Sequence, residues 1–222
     1  MKKDNTVYVI IGGTSGIGAE LAKQLKQENT TIHVASRNTG LDISDEQSVY
    51  RYFESIGAID HLIVTAGSFA PAGKVVDVDT VLAKAAFDTK FWGSIFAAKH
   101  AARYLKQGGS ITLTSGMLSR KVVANTYVKT AINAALEAVT KVLAKELAPI
   151  RVNTVSPGLT QTQAYKEMRD EDRSAMYQHS QNTLPVGKVG QASDIAMAYL
   201  LVMQNTYMTG TVIDVDGGAL LG

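Results

Sequence analysis

The 222-residue sequence contains no cysteine, which excludes disulfide bonds, thiolate catalysis and cysteine-based metal sites. Its histidines are few and scattered, without the close spacing of a zinc-binding motif, so we expect no metal site. Long hydrophobic runs are also missing. No stretch approaches the roughly 18 consecutive apolar residues that a membrane-spanning helix needs.

An excess of charge of either sign is absent as well. The formal net charge is only +2, which gives no reason to expect a nucleic-acid partner. Near the N-terminus, two lysines precede an apolar run that is too short for a secretory signal and ends in Gly12-Gly13. We therefore expect a cytoplasmic protein that acts on a small molecule and contacts neither membrane nor nucleic acid.

Strand-like and helix-like segments alternate along the chain. The predicted strands are residues 6–11, 31–35, 61–65, 110–115, 150–155 and 211–215. The predicted helices are residues 16–27, 44–55, 79–105, 124–147 and 193–203, with Ser44 and Ser193 as N-caps. This alternation predicts an α/β fold with a doubly wound, Rossmann-like parallel sheet. Because no linker or repeat interrupts it, we expect a single domain over residues 1–222.

One connection is too short for a complete version of this fold. Only the segment SRNTGLDI, residues 36–43, separates the second strand from the following helix. A parallel crossover needs about a dozen residues or more. The third strand should therefore be reduced, to residues 41–43 at most, and its crossover helix should be missing.

A glycine motif follows the first strand and opens the first helix. Gly12 permits a tight turn, Gly16 lets the backbone approach a diphosphate, and Gly18 lets the helix pack on the strand. The helix N-terminus adds N–H donors and a positive dipole. Taken alone, the motif also fits a glycine-rich turn without a ligand. The predicted cradle comprises Gly12, Thr14, Ser15, Gly16, Ile17 and Gly18.

Three further motifs, in the expected order, extend this pattern over about the whole chain. They are Val64-Thr65-Ala66-Gly67, the run LAPIRVNTVSPG at 147–158, and Asp214-Val215-Asp216-Gly217-Gly218. Together with the glycine motif, they make the sequence similar to the short-chain dehydrogenase/reductase superfamily. The resemblance implies a nicotinamide cofactor and a carbonyl or alcohol substrate. It places Thr65, Ala66, Gly67, Pro157, Gly158, Thr160 and Thr162 at the cofactor.

The residues after the second strand predict which nicotinamide cofactor is used. An NAD site has an acidic residue there to hold the adenosine ribose. Here Ser36 and Arg37 offer a hydroxyl and a fork of donors for a 2′-phosphate, so we expect NADP(H), that is NADPH in the reducing direction. Asp42 matches the aspartate that binds the adenine amino group in the family. By local chemistry alone, it fits a turn residue equally well.

The catalytic positions of the family carry other residues here. The resemblance aligns the usual Asn, Ser, Tyr and Lys with Lys90, Gly116, Lys129 and Asn133. The chain is therefore expected to be a divergent member that lacks the usual tetrad. Ser115 lies next to Gly116 and could lend its hydroxyl after a small shift, although alternation along a strand points it the other way.

The replacement of Asn by Lys90 and of Lys by Asn133 suggests an exchange of roles. In that case the amine of Lys90 should reach Asn133 or the nicotinamide ribose. Lys129 should then lie near the site of hydride transfer, where a desolvated lysine beside another cation has a lowered pKa and can donate a proton. The alternative is drift in an inactive site, with Lys90 turned to solvent.

Two functions follow from these observations. The first is an NADPH-dependent oxidoreductase that uses non-standard acid–base residues. The second is a catalytically silent NADPH-binding sensor or regulatory protein. In either case, the polar segment 161–181 is predicted to be a mobile lid. The alanine-rich helices 79–105 and 124–147 favour close helix packing between subunits, so we expect a homodimer or homotetramer.

Overall fold

The computed structural model describes residues 5–67 and 69–221. Its strands are β1 (Thr6–Ile11), β2 (Thr30–Ala35), β3 (Ile59–Val64), β4 (Leu105–Thr114), β5 (Arg151–Pro157), β6 (Thr160–Gln161), β7 (Gly190–Gln191) and β8 (Val212–Val215). Its α-helices are α1 (Gly16–Leu25), α2 (Glu46–Ile56), α3 (Thr80–Phe87), α4 (Gly93–Ala101), α5 (Tyr127–Glu146), α6 (Asp170–Thr183) and α7 (Ala192–Gln204).

Six of these strands form one parallel sheet in the order β2-β1-β3-β4-β5-β8, which confirms the predicted doubly wound architecture. The chain runs outward from β1 to β2 on one side and then from β3 onward on the other. This reversal of direction opens a crevice at the carboxyl ends of the strands, which is where ligands bind in such sheets.

Helices cover both faces of the sheet because its strands alternate the direction of their apolar side chains. On one face, Val9 and Ile11 of β1 join a core with α2, α4 and α5. On the other face, Ile10 of β1 joins a core with α1 and α7. The rigid three-layer arrangement fixes the positions of the loops that follow β1, β3, β4 and β5.

The sequence predicted a reduced third strand, but no strand forms at this place. Residues 41–43 form no strand, and the three-residue 3-10 turn Arg37–Thr39 stands where a crossover helix would be. Leu41 and Ile43 are nevertheless buried. Ile43 packs against the start of α4, where a Cβ on Gly93 would lie 2.9 Å from Ile43 Cγ1. The segment therefore keeps its role in the core without joining the sheet.

The predicted helix 79–105 is interrupted. A π-helical turn, Asp88–Trp92, separates α3 from α4, and Leu105 belongs to strand β4 rather than to a helix. Within the turn, the carbonyl of Lys90 accepts a hydrogen bond from Ser94 Oγ at 2.6 Å. Such π turns occur frequently at functional sites, and this one carries Lys90.

The predicted N-caps Ser44 and Ser193 were wrong. Asp45 caps α2, and its Oδ1 accepts a hydrogen bond from Gln47 N at 3.0 Å. Gln191 precedes α7, and its N–H donates to Asp194 Oδ2 at 2.9 Å. An N-cap needs extended backbone directly before the first helical turn, which residue type alone does not specify.

Candidate cofactor cleft and active site

A cleft of about 530 Å³ opens at the carboxyl ends of β1, β2 and β3. The predicted cofactor residues that line it are Gly12, Thr14, Ser15, Gly16, Ile17, Gly18, Ser36, Arg37, Thr65, Ala66, Gly67 and Thr162. The sequence-based prediction missed Ile11, Asn38, Leu41, Ile43, Thr89, Gln163, Ala164 and Lys166. Most of the missed residues come from connections whose course depends on tertiary packing, so no local motif identifies them.

The glycines of the cleft are required by close packing. Gly12 has a φ of +89°, and a Cβ there would lie 2.5 Å from Ala66 N. A Cβ on Gly18 would lie 2.5 Å from both Gly12 O and Thr65 Oγ1. The first turn is therefore pressed against the end of β3, and α1 begins directly beneath it. This geometry leaves backbone N–H groups for a diphosphate.

The chemistry of the residues after β2 fits a phosphate group. Ser36 Oγ is buried and has no hydrogen-bond partner in the described part of the chain. Arg37 is exposed beside it and carries a fixed positive charge. A buried hydroxyl without a partner needs an explanation, and a phosphate oxygen held between this hydroxyl and the guanidinium would provide one.

Asp42 is engaged in a turn. Its Oδ1 accepts hydrogen bonds from Ser44 N at 2.9 Å and from Ser44 Oγ at 2.6 Å, and these bonds hold the pKa of the carboxyl below its usual value. Leu41 and Ile43, on either side of it, line the cleft, whereas Asp42 does not. These contacts fit the turn interpretation of Asp42.

The remaining predicted cofactor residues, Pro157, Gly158 and Thr160, lie at and just after the end of β5 and do not line the cleft. A Cβ on Gly158 would lie 2.6 Å from Asp216 Cα, so β5 and the segment after β8 pack tightly together. Thr160 Oγ1 donates to Gly158 O at 3.0 Å and stabilises the turn after Pro157. These residues form one edge of a region separate from the cofactor cleft. The predicted catalytic positions lie in that region.

Lys90 and Asn133 are in direct contact, as the exchange hypothesis predicted. Lys90 Nζ donates to Asn133 Oδ1 at 2.7 Å and to the carbonyl oxygen of Ser115 at 3.0 Å. Burial, together with the smaller effect of the positive charge of Lys129, lowers the pKa of Lys90 to about 8. The π turn therefore places the ammonium group of Lys90 against α5, where Asn133 presents its amide.

Lys129 and Ser115 take different positions from this pair. Lys129 is exposed and makes no hydrogen bond within residues 5–67 and 69–221, so the desolvation expected at Lys129 is found at Lys90 instead. Ser115 is buried, and its Oγ donates to Glu137 Oε1 at 2.8 Å. The carbonyl of Ser115 therefore contacts Lys90, while its hydroxyl contacts Glu137, one turn of α5 beyond Asn133.

A charged cluster behind Ser115 was missed by the sequence reasoning. Glu137 also accepts a hydrogen bond from Ser119 Oγ at 2.6 Å, and its Oε2 lies 3.2 Å from Arg120 Nε. Arg120 Nη1 in turn donates to Asp214 Oδ2 on β8 at 2.8 Å. The cluster ties α5, the loop after β4 and the C-terminal segment together. Its only signal in the sequence was the position of Asp214 within a recognised motif.

The predicted lid borders the cleft through Thr162, Gln163, Ala164 and Lys166. Helix α6 follows, and none of its residues is buried. The mobility of this segment stays a prediction. Among the described residues, no helix is long and apolar enough to cross a membrane, and no group of three or more side chains could hold a metal ion.

The cleft and its motifs have clear counterparts in known proteins. The sequence model of a family described as enoyl-(acyl carrier protein) reductase matches residues 15–219. The short-chain dehydrogenase/reductase ATR9 of Stachybotrys chlorohalonatus is 33% identical, over 96% of this chain and 96% of its own. Carbonyl reductase family member 4 of Danio rerio is 33% identical, over 96% of this chain and 97% of its own.

Solved structures of small-chain dehydrogenases are also similar to this chain. A small-chain dehydrogenase crystallised in complex with NADPH is 80% identical, with a TM-score of 0.98 over 99% of this chain and 100% of that chain. A second small-chain dehydrogenase structure is 77% identical, with a TM-score of 0.93. The protein therefore belongs to the short-chain dehydrogenase/reductase family.

Proposed function

We propose that the protein is an NADPH-dependent reductase of small carbonyl compounds, in which Lys90 and Asn133 replace the usual acid–base residues. The contact of 2.7 Å between Lys90 Nζ and Asn133 Oδ1 carries this proposal. An inactive remnant has no physical need for a buried amine with two aligned acceptors, because burying an ammonium group is costly.

The cofactor assignment rests on two observations. The pocket after β2 combines the unpartnered Ser36 hydroxyl with Arg37, and the 80%-identical structure is a complex with NADPH. The glycine turn would hold the diphosphate, and Ser36 and Arg37 would hold the 2′-phosphate. When bound, NADPH supplies a hydride for the carbonyl carbon. The carbonyl oxygen then needs one proton, which must come from the protein or from water.

Lys90 is suited to supply that proton. An ammonium group has three N–H donors, and Asn133 and Ser115 accept two of them. The third is left for substrate or for a water molecule. A pKa of about 8 keeps the amine largely protonated at neutral pH and still makes it a better acid than an ordinary lysine. Lys129 adds a second positive charge near the developing alkoxide.

The silent-sensor hypothesis gains no support from the position of Lys90, since it predicted a lysine turned to solvent. The silent sensor remains one of the outcomes of the experiment described next.

Purified protein is mixed with NADPH and a panel of ketones, aldehydes and diketones that includes 9,10-phenanthrenequinone, and loss of NADPH absorbance is followed. Lys90→Met should lower kcat by about 10²–10⁴-fold. Lys84→Met, which changes an exposed lysine of α3, serves as the matched control.

The pH dependence gives a second criterion. Carbonyl reduction needs protonated Lys90, so the rate should be level below pH 8 and fall as the pH rises through about 8. Tight NADPH binding with no turnover at any pH would favour the silent sensor. Turnover that Lys90→Met leaves unchanged would refute the role of Lys90.

A further inference from the structure

The side-chain oxygen of Asn133 makes a hydrogen bond, whereas its side-chain nitrogen has no hydrogen-bond partner among the described residues. Its Oδ1 accepts from Lys90 Nζ, and an ammonium group can only donate, so the orientation of the amide is fixed. Its Nδ2 donates to none of the described residues, although Asn133 is only 6% exposed. A donor with no partner among the described residues is free to bind a ligand.

The open nitrogen points toward Gly116. A Cβ on Gly116 would lie 3.0 Å from Asn133 Nδ2 and 3.6 Å from its Cγ. The backbone of Gly116 is extended, with φ 163° and ψ 154°, so its conformation does not demand glycine. The space is the tighter constraint, because a Cβ at position 116 would press on the amide nitrogen and require the amide to move by a few tenths of an ångström.

This place lies at the carboxyl ends of β4 and β5, on the same edge of the sheet as the cofactor cleft. The Cβ position of Gly116 is 3.7 Å from Pro157 O, at the end of β5. The ammonium of Lys90 touches the same amide from the other side. The amide N–H is therefore the free donor on the side of Gly116, and a carbonyl oxygen placed there can accept its hydrogen bond.

We propose that Asn133 Nδ2 is the hydrogen-bond donor to the substrate's carbonyl oxygen, and that Lys90 holds the amide in the orientation this requires. The assignment rests on the proposed reductase function. It identifies the substrate class as ketones and aldehydes, whose oxygen is an acceptor that becomes negative. It excludes iminium substrates, because their N–H group is a donor and their positive charge would meet Lys90 and Lys129.

The test removes the proposed hydrogen-bond donor from position 133 and introduces a new donor at position 116. Asn133→Asp keeps the shape and an acceptor for Lys90 but removes the N–H, so kcat for 9,10-phenanthrenequinone should fall by about 10²–10³-fold, as for the loss of one oxyanion donor. Asn133→Ala should show a similar loss. Gly116→Ser alone should also lose activity, because the new Cβ presses on the amide and the new hydroxyl can accept the N–H that the substrate needs. Combining Asn133→Ala with Gly116→Ser should recover much of the rate, since a hydroxyl then stands where the amide stood.

Two readouts do not depend on turnover. Gly116→Ala should lower the melting temperature of the native protein, and it should lower that of the Asn133→Ala background much less, because the collision is then gone. NADPH affinity, measured by fluorescence titration, should be unchanged by Asn133→Asp. The exposed Asn29→Asp variant is the control for adding a negative charge.

The outcomes separate the two proposals. A native protein that reduces no carbonyl probe overturns the reductase function and this assignment with it. A native protein that reduces the diketone, and an Asn133→Asp variant with the same kcat, overturn this assignment alone. Equal melting penalties for Gly116→Ala in both backgrounds, or reduction of the cyclic imine 2-methyl-1-pyrroline as fast as the diketone, would also contradict it.

Discussion

Replacing Lys90 by methionine should change how the stability of the protein depends on pH. A free lysine has a pKa of 10.5, and burial lowers that of Lys90 to about 8 in the folded protein. Below pH 8 the amine is protonated in both the folded and the unfolded chain, so the folded state bears the full cost of a buried charge. Above pH 10.5 the amine is neutral in both states, and this cost disappears.

The size of the effect follows from the two pKa values. Their separation corresponds to about 3 kcal/mol, at about 1.4 kcal/mol for each tenfold change in acidity. The native protein should therefore gain up to about 3 kcal/mol of stability relative to Lys90→Met as the pH rises from 8 to 10.5. Methionine has similar length and no charge, so the variant has nothing to titrate at this position.

Urea unfolding at several pH values between 7 and 10.5, at constant ionic strength, measures this difference. Subtracting the variant from the native protein cancels the other titrating groups. The Lys84→Met variant, which changes an exposed lysine, is treated in the same way as the control. A level difference for Lys90→Met would show that its amine is not desolvated, and the argument for it as the proton donor would fail.

Four further outcomes are expected. Arg37→Ala should abolish most of a preference for NADPH over NADH of about 1–3 kcal/mol, measured by titration with both cofactors. Lys129→Gln should raise the pKa of Lys90 by removing a neighbouring positive charge, so the alkaline fall in reduction rate should move to higher pH. Arg120→Leu should cost about 1–3 kcal/mol in urea unfolding, because Glu137 and Asp214 lose their shared cation. Light scattering at micromolar concentration should give a dimer or tetramer, and a monomer would contradict this.

The fold was largely predictable because its signals are local. Alternating apolar strands and amphipathic helices predicted the parallel sheet, and the short segment 36–43 predicted the missing crossover helix. The cleft was predictable for the same reason. Gly12, Gly16 and Gly18 form one continuous motif, and Ser36 and Arg37 directly follow a strand, so short-range spacing was enough to bring them to one place.

Features that depend on tertiary contacts were not predictable. The polar residues at the start of β4, KQGG at 106–109, look like a loop, yet Leu105 pairs with Ile59 in the sheet. The π turn at Asp88–Trp92 has no established sequence signature. The bridge from Arg120 to Asp214 spans 94 residues of sequence. No spacing rule connects positions so far apart.

The geometry around Asn133 makes Lys90, Asn133 and Gly116 depend on one another. An amine on Lys90 needs an acceptor on the facing helix, and Asn133 supplies one at 2.7 Å. That amide needs room for its nitrogen, and the missing side chain of Gly116 leaves that room. Changing one position alone breaks the set: Asn133→Lys would place two ammonium groups face to face, and Gly116→Ser would press on the amide. A change at any one of the three positions should therefore disturb the other two, which is the behaviour that the proposed donor arrangement requires.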